Sequence, residues 1–171
     1  MKRILVLITL MSMFLLCSCE TKNFQQESDI NTSEEKELIS EKLLHTIESE
    51  YKKESEYERY LTTAGMIELA NKYKNKWDAV SDEYYEKIIS VTKENFKDKK
   101  DVILEKLNNL KASYEEYEKS NLDLKKEIYS LKYSGGSIIG PLCANELYEL
   151  RKNYALEIVD IYEKLTFDME Y

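Results

Sequence analysis

The stretch that we expect to organise the fold, residues 101–137, reads DVILEKLNNLKASYEEYEKSNLDLKKEIYSLKYSGGS. Apolar or aromatic residues recur in it at alternating steps of four and three, which places them along one side of a helix. This heptad seam, interrupted by Asn121, consists of Ile103, Leu107, Leu110, Tyr114, Tyr117, Leu124, Ile128 and Leu131. The residues between them are mostly charged or carry amides. The pattern predicts one long amphipathic helix that ends at a pair of glycines.

The seam requires partner helices. Burying a large apolar side chain stabilises a fold by about 1.5–3 kcal/mol, whereas ordering a backbone residue costs about 1–2 kcal/mol. An isolated helix would leave the seam in water and gain nothing to offset that cost. We therefore expect partners from the same chain or from a second copy, packed at the small angles of bundles and coiled coils. Asn121 either fixes the register of that packing or lies at the wet edge of the seam.

Glycine and proline are concentrated just after this helix. Three of the four glycines and the single proline lie in residues 135–141. Gly135 suits the left-handed cap of the long helix, and Pro141 suits the first turn of the next one. The intervening Gly136 and Ser137 complete the clearest turn signal in the chain.

The composition indicates an all-helical protein with one domain. Charged residues make up 34% of the 171 residues, and glycine and proline are scarce. Lysine and arginine total 25 against 33 aspartates and glutamates, a net charge of −8. An acidic chain without a basic patch argues against nucleic acid as a partner. Its charge would steer a cationic partner toward it.

The first residues are typical of a secretion signal. A basic start precedes an apolar run, residues 4–16, which is too short to span a membrane comfortably. The sequence around Cys17, Ser18 and Cys19 resembles a bacterial lipoprotein signal, which implies cleavage after Ser18 and lipid on Cys19. We therefore expect residues 1–18 to be a signal peptide and the mature protein to be lipid-anchored in the cell envelope, facing outside the cytoplasm. The alternative is an ordinary secretory signal that is cut nearby.

A tether and a weak helix follow. Residues 19–32 are polar and without periodicity, which is typical of a flexible tether. The helical domain is expected to occupy residues 33–171. A capping-box pattern predicts a helix start near Ser33. Its modest apolar face is formed by Leu43, Leu44, Ile47 and Tyr51. Whether this helix breaks or continues through the charged residues 52–58 is left open.

Two further helices have clear apolar stripes. The earlier one, capped by Thr62 or Thr63, carries Ile67, Ala70, Tyr73, Trp77, Val80, Tyr84, Ile88 and Val91. The later one, after Pro141, carries Cys143, Leu147, Leu150, Tyr154, Ile158, Ile161 and Leu165. Asp98 or Asp101 is expected to cap the long helix between them. The sequence therefore predicts an antiparallel bundle of three long helices plus the weaker N-terminal helix.

The residues of the chain do not predict catalysis. His45 is the single histidine, so no Ser/His/Asp or Cys/His set can form, and neither metal-ligand spacing nor a phosphate loop occurs. We expect no enzymatic activity and no cofactor, and we expect Cys143 to be a buried thiol. The candidate partner-binding residues are Ile138 and Ile139, two apolar residues placed in a turn. The alternative is that they close the end of the bundle.

Several short motifs resemble the lysozyme-inhibitor LprI-like N-terminal domain family. The similar positions, over residues 62–162, are Gly65, Met66, Trp77, Asp78, Tyr84, Tyr117, Gly135, Gly136 and Ser137. The chain differs from the family pattern at Lys111, Tyr114, Glu118 and Tyr154. The resemblance implies a secreted helical domain in which the motif residues are structural. It also implies lysozyme inhibition as one activity.

Two functions follow from these features. The first is a membrane-anchored extracytoplasmic binding protein whose partner is another protein, with a basic lysozyme as the first candidate. The second is a structural or assembly lipoprotein of the bacterial cell envelope, whose helices pair with other envelope proteins or with a second copy.

Overall fold

The computed structural model describes residues 38–167, and all regular structure in that range is helical. Two short 3₁₀ turns, Glu58–Tyr60 and Lys97–Lys99, connect consecutive helices. The four α-helices are α1 (Ile39–Ser55), α2 (Thr63–Asn95), α3 (Lys100–Tyr133) and α4 (Ile139–Thr166). The predicted all-α helical bundle of three long helices and a shorter N-terminal one is confirmed.

The centre of the bundle is a parallel pair formed by α2 and α4. Arg151 of α4 lies 3.6 Å from Asp78 of α2. Further along both helices, the rings of Tyr84 and Tyr162 meet edge to face at 5.3 Å between centroids. The two helices therefore advance in the same direction. Their facing side chains, among them the fully buried Trp77, form most of the core.

The other two helices run antiparallel to this pair. On α1, Glu54 contacts Lys72 of α2 at 2.6 Å. On α3, Lys125 contacts Glu146 near the start of α4 at 3.2 Å, and the later part of α4 meets the earlier part of α3. Tyr85 donates a hydrogen bond of 2.6 Å to Asn108, which joins α2 to α3. The predicted antiparallel arrangement of α2 and α3 is thus confirmed.

The prediction that α3 organises the fold is wrong. Of the residues in Lys100–Tyr133, Leu107 alone is buried. The buried residues of α4 are Pro141, Tyr148, Leu150, Tyr154, Ala155, Ile158 and Val159. The reason is the number of neighbours: α4 is contacted by α1, α2 and α3, whereas α3 lies at the outside of the bundle. For the same reason the burial on α4 extends beyond the predicted stripe.

The predicted N-cap is confirmed for α2 and is wrong for α3. Thr62 is the N-cap of α2, and its Oγ1 accepts a hydrogen bond of 3.0 Å from the backbone N–H of Gly65. Neither Asp98 nor Asp101 caps α3, because a 3₁₀ turn leads directly into that helix and Lys99 occupies the N-cap position. The start predicted near Ser33 lies outside the described residues.

The turn between α3 and α4 has the predicted chemistry. Gly135 has a φ of +76°, the left-handed conformation expected for it, and it follows Ser134, the C-cap, which has a φ of +51°. Pro141 lies in the first turn of α4, also as expected. Cys143 is partly exposed, so the prediction of a buried thiol is wrong.

Candidate functional site

An apolar groove lies at the end of the bundle that contains the α3–α4 turn. It is formed by the end of α1, the start of α2 and the start of α4, and its volume is about 300 Å³. Its lining residues are Tyr51, Ser55, Tyr60, Leu61, Met66, Leu69, Ala70, Ile138, Pro141, Leu142 and Asn145. None of these groove-lining residues carries a charge. We call this feature the end groove.

Three large apolar side chains of the end groove are exposed to solvent. They are Leu61, just before α2, Met66 in the first turn of α2, and Ile138 at the start of α4. Single exposed apolar residues are common on protein surfaces, but a contiguous set around a concavity marks a binding surface. An uncharged groove with apolar walls suits an apolar side chain of a partner better than a charged or strongly polar ligand.

Gly65, the residue before Met66, is where the 3₁₀ turn meets the start of α2. A Cβ atom on this residue would lie 2.0 Å from the carbonyl oxygen of Arg59 and 2.8 Å from the Cα of Tyr60. The backbone of the 3₁₀ turn therefore rests directly on the first turn of α2. Glycine is required here for close approach, a role that its position near a helix start does not reveal.

The same 3₁₀ turn is fixed by a buried tyrosine. Tyr60 belongs to the core cluster that includes Tyr73 and Trp77. The guanidinium of Arg59 lies 4.3 Å from the centre of the Tyr60 ring and donates a hydrogen bond to its hydroxyl. This anchored turn holds the neighbouring Leu61 at the rim of the groove.

The two candidate partner-binding residues have different positions. Ile138 lines the end groove together with Met66. Ile139, the first residue of α4, is half-buried and does not line it. A Cβ on Gly140 would lie 3.1 Å from the side chain of Ile67 on α2, so the start of α4 packs closely on α2. This packing supports the alternative for Ile139, closure of the bundle end.

The remaining motif residues divide into core and surface. Trp77 and Tyr84 are buried, and Gly136 and Ser137 lie exposed in the α3–α4 turn. Tyr117, expected to be structural, is exposed on α3. Its hydroxyl accepts a hydrogen bond of 3.1 Å from Asn121 one turn later. Tyr117 therefore contributes little to the core of this chain.

Asp78 belongs to a partly buried ion-pair cluster. Arg151 donates a hydrogen bond of 2.8 Å from Nη2 to Glu118, and its Nε lies 2.5 Å from the other oxygen of that carboxylate. Asp78 approaches Arg151 at 3.6 Å and also pairs with Lys74 at 2.6 Å. One guanidinium therefore ties α2, α3 and α4 together. Because these charges are paired with one another, we interpret the cluster as a structural contact between the helices.

A polar cleft of about 260 Å³ lies beside this cluster. Tyr114 and Tyr154 line it and stack at 4.4 Å between ring centroids. Burial, with a contribution from the charge of Glu118, raises the pKa of Tyr114 to about 12. Burial also raises the pKa of Tyr154 to about 12. Both phenols are therefore neutral at physiological pH and are poor candidates for acid–base chemistry.

Other parts of the sequence interpretation concern residues without a described position. Cys19, the expected lipidation site, and the signal peptide, residues 1–18, lie outside the described residues. Within residues 38–167, no group of histidine, cysteine, aspartate and glutamate side chains is arranged to hold a metal ion. None of the helices in this range has an apolar stretch long enough to cross a membrane.

Comparison of the chain with protein-family models, curated proteins and solved structures finds no match. Of the residues that line the end groove, the sequence predicted Ile138 as a binding residue and did not predict Leu61. The available signal was its apolar character between the charged residues 52–59 and the Thr62 cap.

Proposed function

We propose that this chain is a lipid-anchored binding protein outside the cytoplasm of a bacterium, and that its end groove takes an apolar side chain of a protein partner. The observation that supports this proposal is the exposure of Leu61, Met66 and Ile138 around one uncharged groove. Residues that bind a partner tend to cluster around such a pocket, where an inserted side chain loses its water.

The position of the groove within the bundle supports the same proposal. The described chain enters the bundle at Leu38, and Ser40 donates a hydrogen bond of 2.7 Å to Glu163 near the end of α4. The end groove is built from the opposite ends of α1 and α4. A chain tethered through its N-terminal segment would therefore carry the groove at the end of the bundle away from that connection.

A basic lysozyme is the first partner to test. The resemblance to the lysozyme-inhibitor LprI-like domain family motivates it, and the net charge of −8 would steer a cationic protein toward this one. Steering of this kind acts over about 8–10 Å at physiological ionic strength. The apolar groove would then supply the slow dissociation that inhibition requires.

The test is a lysozyme assay on cell walls with the detergent-solubilised protein added, at low and moderate salt. Ile138→Asp and Met66→Asp place a charge in the groove, and we expect them to abolish inhibition. Val102→Asp is the matched control, because Val102 is equally apolar and exposed but lies at the other end of α3. Equal inhibition by all of these proteins, once shown to fold, would exclude the groove. If the unmutated protein does not inhibit any of several lysozyme classes, lysozyme is excluded as the partner.

The lipid anchor has its own test. We expect the full chain to partition into the detergent phase and to incorporate labelled fatty acid, and Cys19→Ala to lose both properties while keeping its helical circular dichroism. A wild-type protein that remains unlabelled and freely soluble would overturn the lipoprotein assignment.

The second candidate, a structural or assembly lipoprotein of the cell envelope, is favoured by a different observation. The second half of α3 exposes a row of large apolar side chains along one face of the helix.

A further inference from the structure

Four seam residues in the second half of α3 point into solvent. Their exposed fractions are 54% for Tyr117, 62% for Leu124, 45% for Ile128 and 83% for Leu131. Their spacing of seven, four and three residues places them on one face of the helix. We call this face the outer stripe. A row of this size is expected to have a partner.

The outer stripe is exposed because α4 packs on the neighbouring face of α3. The residues that contact α4 are Glu118, Lys125 and Tyr129, which meet Arg151 and Glu146. Glu118 and Tyr129 are eleven residues apart, which is three turns of a straight helix. A heptad seam drifts by about 20° per heptad relative to such a helix. The seam that begins inside the bundle at Leu107 therefore emerges from it by Leu124.

We propose that a second copy of this chain packs on the outer stripe, with the two α3 helices parallel and in register around a twofold axis. The alternation of four and three steps continues through the second half of α3, with Asn121 as its one polar position. A 3.5-residue repeat matches a second helix that supercoils with the first. A twofold dimer uses the same stripe on both copies.

The charges beside the outer stripe select the parallel arrangement. On one side lies Glu127, and on the other lies Lys132, at the two heptad positions that border the seam. In a parallel pair, Glu127 of each copy faces Lys132 of the other, which gives two attractive contacts. In an antiparallel pair, each edge would meet the same edge of the other copy, so Glu127 would have no lysine opposite it. The sequence thus favours one orientation.

The area is sufficient for a specific but weak dimer. With about 200 Å² for a fully exposed side chain of this size, the four residues offer roughly 500 Å² per copy. Two copies would bury roughly 1,000 Å², which is the lower limit of specific interfaces. Association at this limit would depend on local concentration, so it is best tested on full-length protein in the cells that secrete it.

The first test uses disulfide trapping of full-length protein in a secreting bacterium, in a Cys143→Ser background. Leu131→Cys should form a cross-linked dimer on addition of copper phenanthroline, because a parallel pair in register brings residue 131 next to its copy. Lys126→Cys, on the opposite face of α3, is the matched control. The proposal is overturned if the Leu131→Cys protein does not cross-link, or if the parent or the control cross-links equally.

The second test identifies the interface and its orientation. Leu124→Asp should reduce the cross-linked fraction of the Leu131→Cys protein by about tenfold or more, the effect of 1.4 kcal/mol on association. Glu127→Lys and Lys132→Glu should each reduce it, and the double exchange should restore it. An unchanged fraction in all three variants would overturn the proposed pairing, and failure of the double exchange to restore it would overturn the parallel orientation.

This inference is separable from the proposed function. Ile138→Asp, which disables the end groove, should leave the cross-linked fraction unchanged, and Leu124→Asp should leave the groove intact. A protein that dimerises but does not inhibit lysozyme would support the dimer and exclude lysozyme as the partner. A protein that inhibits lysozyme but does not dimerise would support the proposed function and overturn the dimer.

Discussion

α3 and α4 have similar patterns in the sequence and opposite positions in the fold. Both carry apolar residues at helical spacing over about eight turns, yet α4 buries seven residues and α3, in Lys100–Tyr133, buries Leu107 alone. The difference lies in the surroundings, since α4 is contacted by three other helices and α3 by two. A regular apolar seam thus indicates which face of a helix can pack against other helices. It does not indicate how much of that face is buried within the same chain.

The largest expected effect tests this contrast directly. Ile158→Ala on α4 should lower the free energy of unfolding by about 2–5 kcal/mol, because it leaves a cavity among fully buried neighbours. Leu131→Ala on α3 removes a side chain of the same size from a solvent-exposed site, and we expect a change within about 0.5 kcal/mol. Thermal unfolding followed by circular dichroism measures both. Equal losses would mean that the two helices are equally covered.

The next prediction concerns the contact that joins the two helices. Arg151→Met should destabilise the protein by about 1–2 kcal/mol, because Glu118 and Asp78 then lose their shared cation while solvent still reaches part of the site. The double variant Arg151→Met, Glu118→Leu removes one of the unpaired charges and should recover part of the loss. Urea unfolding of the three proteins checks this. A double variant that is less stable than the single one would contradict it.

A smaller effect is expected at the turn between α3 and α4. Gly135→Val should cost about 1 kcal/mol, because a β-branched residue is disfavoured at a φ of +76°. No heavy atom lies within 4 Å of a Cβ placed there, so the cost is conformational and not steric crowding. Gly135→Asn, which tolerates this conformation, should recover most of the stability. A neutral Gly135→Val in thermal unfolding would contradict this account.

The smallest expected effect on stability near neutral pH comes from tyrosines that connect α3 to α4. Their effect on stability becomes clear at alkaline pH. Tyr114 donates a hydrogen bond to the carbonyl of Leu150, and Tyr129 donates one to Glu146. Burial raises the pKa of Tyr114, and the hydrogen bond to Glu146 raises the pKa of Tyr129, each from 10.0 to about 12.

Above pH 10, the unfolded chain loses these protons while the folded one keeps them, so stability falls as the pH rises toward 12. Below pH 10 the contribution is fully present. Thermal unfolding across this range, compared with Tyr129→Phe, measures the slope, which should be shallower in the variant. A slope that does not change would show that Tyr129 ionises alike in both states.

The sequence predicted the helices of the fold, but it did not predict which of them would be most buried in the bundle. The all-α class, the Thr62 cap, the turn at Gly135 and the place of Pro141 follow from local chemistry, which acts over a few residues. The central role of α4 depends on contacts between distant segments. Local spacing cannot distinguish a helix with three neighbours from a helix with two.

The candidate site was predictable in part for the same reason. Ile138 was identified because an apolar residue in a turn is unusual. Leu61 and Met66 join it only in the folded protein, since the sequence does not show that the start of α2 lies beside Ile138. Gly65 is the point where two backbone segments touch, and its position near a helix start does not indicate this contact. The lipid anchor and the lysozyme activity stay predictions, to be decided by the experiments above.

The parallel pairing of α2 with α4 has a consequence for how this protein acquires its structure. The two halves of the core are separated by the whole of α3, so the contacts that stabilise α2 form only after a large loop has closed. During synthesis, the first helices cannot complete a stable unit until the last one has been made. We therefore expect a chain of this topology to fold late and as a whole, and to stay extended until α4 has been made.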